Sequence, residues 1–369
     1  MRITRRSLLP LAAAAVGCGR TRARGYPGFA YVANQEGRSV VAVDLTEFAV
    51  ARQIALGAKP AAITANNARG TLYVLLPEAG VVQEIDGRSF TLRRRARLPA
   101  PGAYSMRLSA DGETLWILAR DVPALLRLPT GSFQPSMHVR LPKQTEDFDI
   151  SADGQRAAVS LSGGGVAICT LGSGRIARTI HVPSARIVRF RFDGRQIIAG
   201  GASDRALSIL DPEKGRIVVR LPLPIDPQHF CFNADGGQLF VTGRGMDAVV
   251  VVHPYQTEVS ATVLAGGGPA AMAASRSPEY LFVANPESGD VTVLDLLSRR
   301  VIAVVAVGAE PRHLSLTPDQ QYCLVLNERS GNLAVIYLGS VSARRHKSAP
   351  LFTMIPVGSK PVGAAILSA

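Results

Sequence analysis

The chain has 369 residues, with 41 lysine and arginine residues against 28 acidic residues and a formal net charge of +13. Six arginines fall within the first 24 residues, where no acidic residue occurs, so the rest of the chain carries about +7, a modest excess that serves solubility. Aromatic residues make up only 6% of the chain and are sparse near its arginine clusters. This composition argues against a nucleic-acid-binding surface.

The first 28 residues have the pattern of an export signal followed by a linker. A basic start with the pair Arg5-Arg6 precedes an apolar stretch that is too short to span a bilayer. The start resembles a twin-arginine signal, and the small residues before Cys18 resemble a lipobox, with Ala15 in place of the usual leucine. We predict an export signal at 1–17 and a flexible linker at 18–28, lipidated on Cys18. The protein would then lie in the periplasm or cell envelope, anchored to a membrane by its lipid.

From residue 29 onward, strand-like runs end at the same phase eight times. Successive marker positions are separated by 41 or 42 residues. The markers are Asp44, Asp86, Leu128, Thr170, Asp211, His253, Asp295 and Tyr337. A constant period in the forties is typical of radially repeated β units, so the pattern predicts a β-propeller.

Each period reads as four short antiparallel strands, A to D, which would form one blade. In the seventh repeat these strands are predicted at 269–275, 280–285, 291–295 and 301–307, where apolar, aromatic and β-branched residues dominate. Asp-Gly pairs recur between strands A and B, beginning at Asp111, Asp153, Asp193 and Asp235, as tight hairpins require. The residues of the turns and the length of the repeat therefore predict the same all-β fold.

The two ends of the repeat region are complementary parts of one blade. Residues 29–57 supply strands B, C and D only, and residues 361–368 supply a lone strand A. Pairing them would close the ring and remove exposed sheet edges. We therefore predict a single propeller domain at 29–368 with eight blades. The alternative of seven blades would leave a complete set of four strands unused.

Four segments carry a resemblance to a known repeat family. They are Tyr31-Val32-Ala33-Asn34, Phe282-Val283-Ala284-Asn285, the stretch 311–319 and Val291-Thr292-Val293-Leu294-Asp295. These residues resemble the YVTN-type β-propeller repeat, and the resemblance covers nearly all of residues 29–368. It implies a secreted propeller, usually of seven blades, in a family that borders on propeller lactonases, surface-layer proteins and nitrite-reductase-like propellers.

Ligands of propellers usually bind at the mouth of the central channel, which the ends of the A strands surround. Aligning the A strands gives one ring position per blade: Ala62, Ser105, Asp147, Ile187, His229, Ala271, His313 and Gly363. Adding the charged neighbours of this ring gives the predicted ligand-binding set, which is Asp147, Arg186, His229, Glu310, Arg312 and His313. The histidines with Asp147 and Glu146 could hold a divalent metal, but their spacing is no recognised motif. A solvated polar rim is the alternative.

The sequence lacks the signatures of several enzyme classes. It has no Gly-x-Ser-x-Gly elbow, no Walker loop and no His-Glu-x-x-His. It also has no Cys-x-x-Cys-His for a c-type haem, and Cys169, Cys231 and Cys323 are expected to be buried free thiols. No catalytic residue, metal or cofactor is predicted.

Three functional hypotheses remain. The first is a non-catalytic propeller of the cell envelope that binds a ligand or partner protein at its channel mouth and loops. The second is a lactonase-like hydrolase that uses His229, His313, Glu310 and Arg312. The third is a redox accessory subunit that binds a cofactor or docks an electron carrier.

Overall fold

The computed structural model describes residues 25–201, 203–341 and 349–369. The predicted export signal, Cys18 and most of the predicted linker lie outside the described residues. The described chain forms 32 β-strands and two short 3₁₀ turns, Asn67–Arg69 and Leu338–Ser340. Its strands build eight separate four-stranded antiparallel sheets. No helix in these residues is long and apolar enough to cross a membrane.

We number the blades in chain order and give their strands from the innermost outward. Blade 1 contains β32 (Pro361–Ser368), β1 (Gly28–Asn34), β2 (Ser39–Asp44) and β3 (Ala49–Ala55). Blade 2 contains β4 (Ala62–Asn66), β5 (Thr71–Leu76), β6 (Val81–Asp86) and β7 (Leu92–Arg97). Blade 3 contains β8 (Ala103–Leu108), β9 (Thr114–Ala119), β10 (Ala124–Pro129) and β11 (Ser136–Arg140). Blade 4 contains β12 (Thr145–Ile150), β13 (Arg156–Leu161), β14 (Val166–Thr170) and β15 (Arg175–Ile180).

The second half of the ring repeats this order. Blade 5 contains β16 (Ala185–Phe190), β17 (Ile197–Gly201), β18 (Ala206–Asp211) and β19 (Arg216–Pro222). Blade 6 contains β20 (Asp226–Phe232), β21 (Leu239–Arg244), β22 (Ala248–His253) and β23 (Glu258–Leu264). Blade 7 contains β24 (Met272–Ala274), β25 (Tyr280–Asn285), β26 (Asp290–Asp295) and β27 (Arg300–Ala306). Blade 8 contains β28 (Pro311–Leu316), β29 (Tyr322–Asn327), β30 (Asn332–Tyr337) and β31 (Leu351–Pro356).

Blade 1 is closed by strands from opposite ends of the chain. Strand β1 pairs with β32 in an antiparallel register that runs from Gly28 opposite Ser368 to Asn34 opposite Pro361. The predicted eight blades and the predicted closure by the terminal segments are therefore confirmed, and the alternative of seven blades is wrong. Because both ends are locked in one sheet, the ring has no open blade.

The repeated aspartates that mark the period have a local structural cause. Four C strands end at such an aspartate, whose Oδ1 accepts backbone N–H donors in the following turn. Asp44 accepts from Thr46 at 2.7 Å and Asp295 accepts from Ser298 at 2.7 Å. The same turn contains residues with positive φ, such as Phe48 and Phe90. A short carboxylate thus stabilises each C–D turn, which explains why this residue type recurs.

The core lies between the faces of adjacent sheets. Tyr31, Tyr73 and Phe282 on the B strands are fully buried, and Trp116 on β9 is 6% exposed. Cys169 and Cys323 are also buried, and burial raises the pKa of the Cys169 thiol to about 12. These residues therefore contribute to packing between blades.

Strand β24 departs from the predicted boundaries. The sequence predicts an A strand over 269–275, but the ordered strand spans only Met272–Ala274. Gly266, Gly267 and Gly268 precede it, and their backbone follows a loop that contacts the end of β25 and the B–C turn, including Glu287. Pro269, at the predicted start, has no backbone N–H to donate, and Ala270 and Ala271 both pair with Ala284, so the regular strand begins later.

Candidate functional site

The mouth of the channel is shaped by β-bulges near the start of the inner strands. In six of the eight blades the register between strands A and B shifts by one residue there. The bulged residues are Tyr104, Glu146, Arg186, Gln228, Arg312 and Val362. Each predicted ring residue in these blades follows its bulge directly. A bulge redirects side chains at a strand end, and Arg186 and Arg312 are exposed as a result.

Asp147 is held by charged residues from both neighbouring blades. It forms an ion pair with Arg189 of β16, and Arg107 of β8 approaches its Oδ1 with Nη2 at 3.6 Å. The backbone N–H of Val188 also donates to Asp147 Oδ2 at 3.2 Å. The carboxylate therefore links blades 3, 4 and 5, and its charge is compensated within the protein.

The carboxylate of Asp149, two residues further along β12, is held in a similar way. Asp149 Oδ2 accepts a hydrogen bond from the backbone N–H of Phe190 at 2.8 Å, and Arg107 Nη1 lies 3.9 Å from Asp149 Oδ1. We call Arg107, Asp147, Asp149 and Arg189 the channel charge network. Three of its members were missed from sequence. They lie two residues after the ring position in consecutive A strands, so extending the alignment by one same-face position would have found them.

A cavity of about 430 Å³ lies beside this network. It is lined by Glu146, Asp147, Arg186, Ile187, Arg189, Pro227, Gln228, His229 and Arg244. The structure therefore brings together three predicted site residues, Asp147, Arg186 and His229. Arg244, at the end of β21, was not predicted because the alignment considered only A strands.

The charges that line this cavity are unequally compensated. Asp147 is engaged by Arg189, and Glu146 lies 3.9 Å from Arg120. By contrast, the guanidinium groups of Arg186 and Arg244 are exposed and have no hydrogen-bond or ion-pair partner among the described residues. The cavity thus presents two unpaired cations to a ligand.

The two channel histidines are kept neutral by their surroundings. Burial, together with the positive charges of Arg312 and Arg189, lowers the pKa of His229, and burial lowers the pKa of His313. Both imidazoles are therefore uncharged at neutral pH. Neither has a hydrogen-bond partner among the described residues, so each keeps one donor and one acceptor available.

The remaining predicted residues belong to a separate cluster between blades 8 and 1. Arg312 Nε lies 3.1 Å from Glu328 and 3.7 Å from Glu310, and Lys360 lies 3.9 Å from Glu328. Glu310, Glu328 and Lys360 line a second cavity of about 530 Å³. In the part of the chain that the structure describes, His313 lines neither of these two cavities. The six predicted residues are thus divided: Asp147, Arg186 and His229 line the first cavity and Glu310 the second, while the positive charge of Arg312 still acts on His229.

The structure also tests the metal site that the sequence allowed. Among the described residues, no group of three or more histidine, cysteine, aspartate or glutamate side chains could hold a metal ion. The carboxylate of Asp147 is instead shared by arginines. His229, His313, Glu146 and Asp147 therefore do not form the metal site that the sequence allowed.

Comparisons with known proteins give information about the fold only. No family model matches the chain, and no match is found among curated proteins. The resemblance to the YVTN-type repeat is consequently not confirmed at the level of that family.

Solved structures with the same architecture are numerous. A hydrazine synthase from Kuenenia stuttgartiensis is 19% identical, with a TM-score of 0.61 over 75% of this chain and 95% of that chain. Dihydro-heme d1 dehydrogenase NirN in complex with DHE is 14% identical, with a TM-score of 0.74 over 91% of this chain and 74% of that chain. A functionally unknown protein from Desulfotomaculum acetoxidans DSM 771 is 14% identical, with a TM-score of 0.59 over 92% and 99%. At such identities the similarity concerns fold alone, and by fold this chain is a β-propeller of eight four-stranded blades.

Proposed function

We propose that this propeller binds an anionic small molecule at the mouth of its channel and does not transform it. The observation that carries this proposal is the pair of unpaired guanidinium groups, Arg186 and Arg244, in one cavity of about 430 Å³. The acidic residues of the cavity already have arginine partners. An incoming anion would therefore meet uncompensated positive charge.

The chemistry of the side chains supports an anion with two or more acceptor oxygens. A guanidinium group presents parallel N–H donors that match carboxylate and phosphate oxygens. His229 can donate one further hydrogen bond from the same cavity. A bound anion would stabilise the protonated imidazole, whose pKa is lowered in the free protein, so binding should strengthen as the pH falls below the usual pKa range of histidine.

The lining of the cavity supports binding without turnover. None of the described residues that line it is a serine, threonine, cysteine or lysine, and its two carboxylates, those of Glu146 and Asp147, lie against arginines and are not free for attack. The nearby Ser160 hydroxyl donates to backbone oxygens of Asp147 and Arg186. This serine serves the connection between blades 4 and 5. Turnover of a lactone by the native protein would overturn the non-catalytic part of the proposal.

Calorimetric titration with sulfate, whose charge is the same at pH 5.5 and at pH 7.5, tests the proposal at both pH values. Replacing both cavity arginines, as Arg186→Gln with Arg244→Gln, should weaken binding at least about tenfold, because two charge-assisted hydrogen-bond donors are lost. Arg52→Gln is the matched control, since Arg52 is an exposed arginine on β3, far from the channel. Equal affinity in both variants would exclude this cavity as the binding site.

The histidines provide a second and independent test. A double variant, His229→Ala with His313→Ala, should fold normally but lose the increase in affinity at pH 5.5. The reason is that His229 lines the cavity and His313 occupies the same ring position on another inner strand, and imidazole is the side chain that gains a proton on acidification in this range. Unchanged pH dependence in that variant would show that the anion binds elsewhere.

We further propose that the protein acts in the cell envelope, anchored through Cys18. The basic start, the short apolar stretch and the small residues before Cys18 support this location. Fractionation of cells that express the native protein or a Cys18→Ser variant tests it. The variant should leave the membrane fraction, and equal membrane association of both proteins would contradict the anchor.

A second candidate function is that of a redox accessory subunit with a tetrapyrrole as its ligand. Two neutral imidazoles without partners, His229 and His313, favour it, because neutral imidazole is a common iron ligand. One protein of similar fold is a dihydro-heme d1 dehydrogenase in complex with DHE. Titration with hemin, followed by absorption spectroscopy, distinguishes the candidates. A Soret shift that the double histidine variant lacks would favour the redox function.

A further inference from the structure

The outermost strands of the eight blades differ sharply in charge around the ring. Strands β7, β11, β15 and β19, which belong to blades 2 to 5, contain nine arginines and no acidic residue. Strands β23, β27, β31 and β3, which belong to blades 6 to 8 and blade 1, contain two arginines and one glutamate. We call the first set of strands the arginine wall. Positive charge is thus concentrated on one half of the outer surface.

Most arginines of this wall are not used by the fold. Arg93 and Arg94 pair with Glu84 and Asp86, and Arg220 pairs with Asp204. The other six are exposed and have no hydrogen-bond or ion-pair partner among the described residues: Arg95, Arg97, Arg140, Arg175, Arg178 and Arg216. Unpaired like charges on adjacent strands repel each other, which costs stability. An external anion would remove that cost.

A groove lies near the middle of the arginine wall. It has a volume of about 710 Å³ and is lined by residues of β11 and β15, with Arg140 and Arg175 both among them. Met137, Val139 and Ile176 supply apolar surface in the same groove. The groove therefore offers cationic groups and an apolar floor together, which suits a ligand of mixed character.

The backbone at this groove is also available for pairing. Strands β11 and β15 are each the last strand of their sheet, so one edge of each carries N–H and C=O groups without a partner strand. An extended segment of another protein can add to such an edge through main-chain hydrogen bonds. Carboxylates on that segment would then meet the arginines.

From these observations we propose that the arginine wall, with the groove between β11 and β15 at its centre, docks an extended acidic segment of a partner protein. The groove has no aromatic residue on which a nucleic acid base could stack, apart from His138. Its imidazole already contacts the oxygen of Leu171 and the ring of Trp116. A flat membrane would touch a convex wall of four blades along one blade only. An acidic peptide chain is thus the partner that uses the charge, the groove and the free strand edges.

The test measures binding of a labelled peptide of six Glu-Val repeats by fluorescence anisotropy, at about 50 mM and 300 mM NaCl. The native protein should bind it, and binding should weaken at the higher salt concentration. A variant with Arg140→Gln and Arg175→Gln should lose at least about tenfold in affinity. The matched control carries Arg52→Gln and Arg300→Gln on the opposite half of the outer surface, and should stay within about twofold.

Two further measurements could contradict the proposal. Methylation of alternate backbone nitrogens in the peptide removes donors but no charge, and should weaken binding at least about tenfold if a strand is added. Equal affinity of the methylated peptide would overturn strand addition. Absence of peptide binding, equal losses in the two arginine variants, or tighter binding of a single-stranded DNA or of phosphatidylglycerol vesicles would overturn the acidic protein partner. None of these outcomes depends on the channel cavity.

Discussion

Neighbouring blades are joined in two different ways. At the junction of blades 1 and 2 the buried contact is mainly apolar, with Tyr31, Leu72 and Leu367 in one cluster. Neutral hydrogen bonds also cross it, from Asn67 to Ile366 and from Gln83 to Leu56. At the junction of blades 4 and 5 an apolar cluster is supplemented by the channel charge network, in which carboxylates of β12 accept hydrogen bonds from the backbone of β16. Apolar packing tolerates small shifts in position, whereas ion pairs with fixed hydrogen bonds specify a register. The ring therefore combines a closure based on packing with a polar junction that sets alignment.

The largest expected effect comes from removing the closing strand. A chain that ends at Gly358 lacks β32, which pairs with β1 and contributes to the apolar cluster between blades 1 and 2. We expect it to lose cooperative unfolding in circular dichroism melts, because β1 would become an open edge. A chain that lacks only Ala369 should melt like the full chain. Similar melting curves for both truncations would refute closure by β32.

The polar junction should respond strongly to loss of a single charge. Asp147→Ala would leave Arg107 and Arg189 without their shared carboxylate. We expect the free energy of unfolding to fall by about 2 kcal/mol, less than for a fully buried pair because both arginines are partly exposed. Urea denaturation measures this change.

Glu213→Ala is the control for that substitution. Glu213 pairs with Arg156 but its side chain is 80% exposed, so its removal should change the free energy of unfolding by less than about 0.5 kcal/mol. Equal effects of the two substitutions would mean that the channel charge network adds no more stability than a surface ion pair.

A smaller effect is expected at the apolar junction from loss of one hydroxyl group. Tyr31 donates a hydrogen bond to the backbone oxygen of Gly87 in blade 2, one of the neutral hydrogen bonds that cross this mainly apolar contact. Tyr31→Phe should lower the free energy of unfolding by about 1 kcal/mol. Tyr73→Phe, at the equivalent position of blade 2, allows comparison with another junction. No change in Tyr31→Phe would show that this hydrogen bond adds no stability beyond the packing between the two blades.

The dependence of stability on pH should come from the channel and not from the apolar junction. The pKa values of His229 and His313 are lowered in the folded protein, so the unfolded chain binds more protons once the pH falls below about 6.5. The free energy of unfolding should therefore decrease on acidification through this range. A His229→Gln, His313→Gln variant should show a flatter profile in urea titrations from pH 7.5 to pH 5. An unchanged slope would assign the effect to other groups.

The fold was predictable from sequence because a repeat can be counted. The period fixed the number of blades, and the partial units at the two ends predicted the pairing of β1 with β32. The positions of His229 and His313 beside the channel could also be predicted, because each A strand could be aligned on its B strand.

The candidate site was only partly predictable, because its contacts cross from blade to blade. Asp147 looks like a free ligand in the sequence, yet Arg189 and Arg107 on other sheets hold it. The bulges that expose Arg186 and Arg312 depend on backbone register and leave no mark in composition. Glu310 and His229 share a ring but line different cavities, a distinction that requires three-dimensional distances.

The pairing of β1 with β32 has a consequence for biosynthesis. The ribosome makes residues 28–34 well before residues 361–368, so tens of seconds pass between them at roughly 5–20 residues per second. During that interval β1 lacks its inner neighbour, and its unpaired edge could recruit a strand from another nascent chain. Blade 1 can be completed only after β32 has left the ribosome, so a chaperone that shields this edge until then would raise the yield of correctly closed rings.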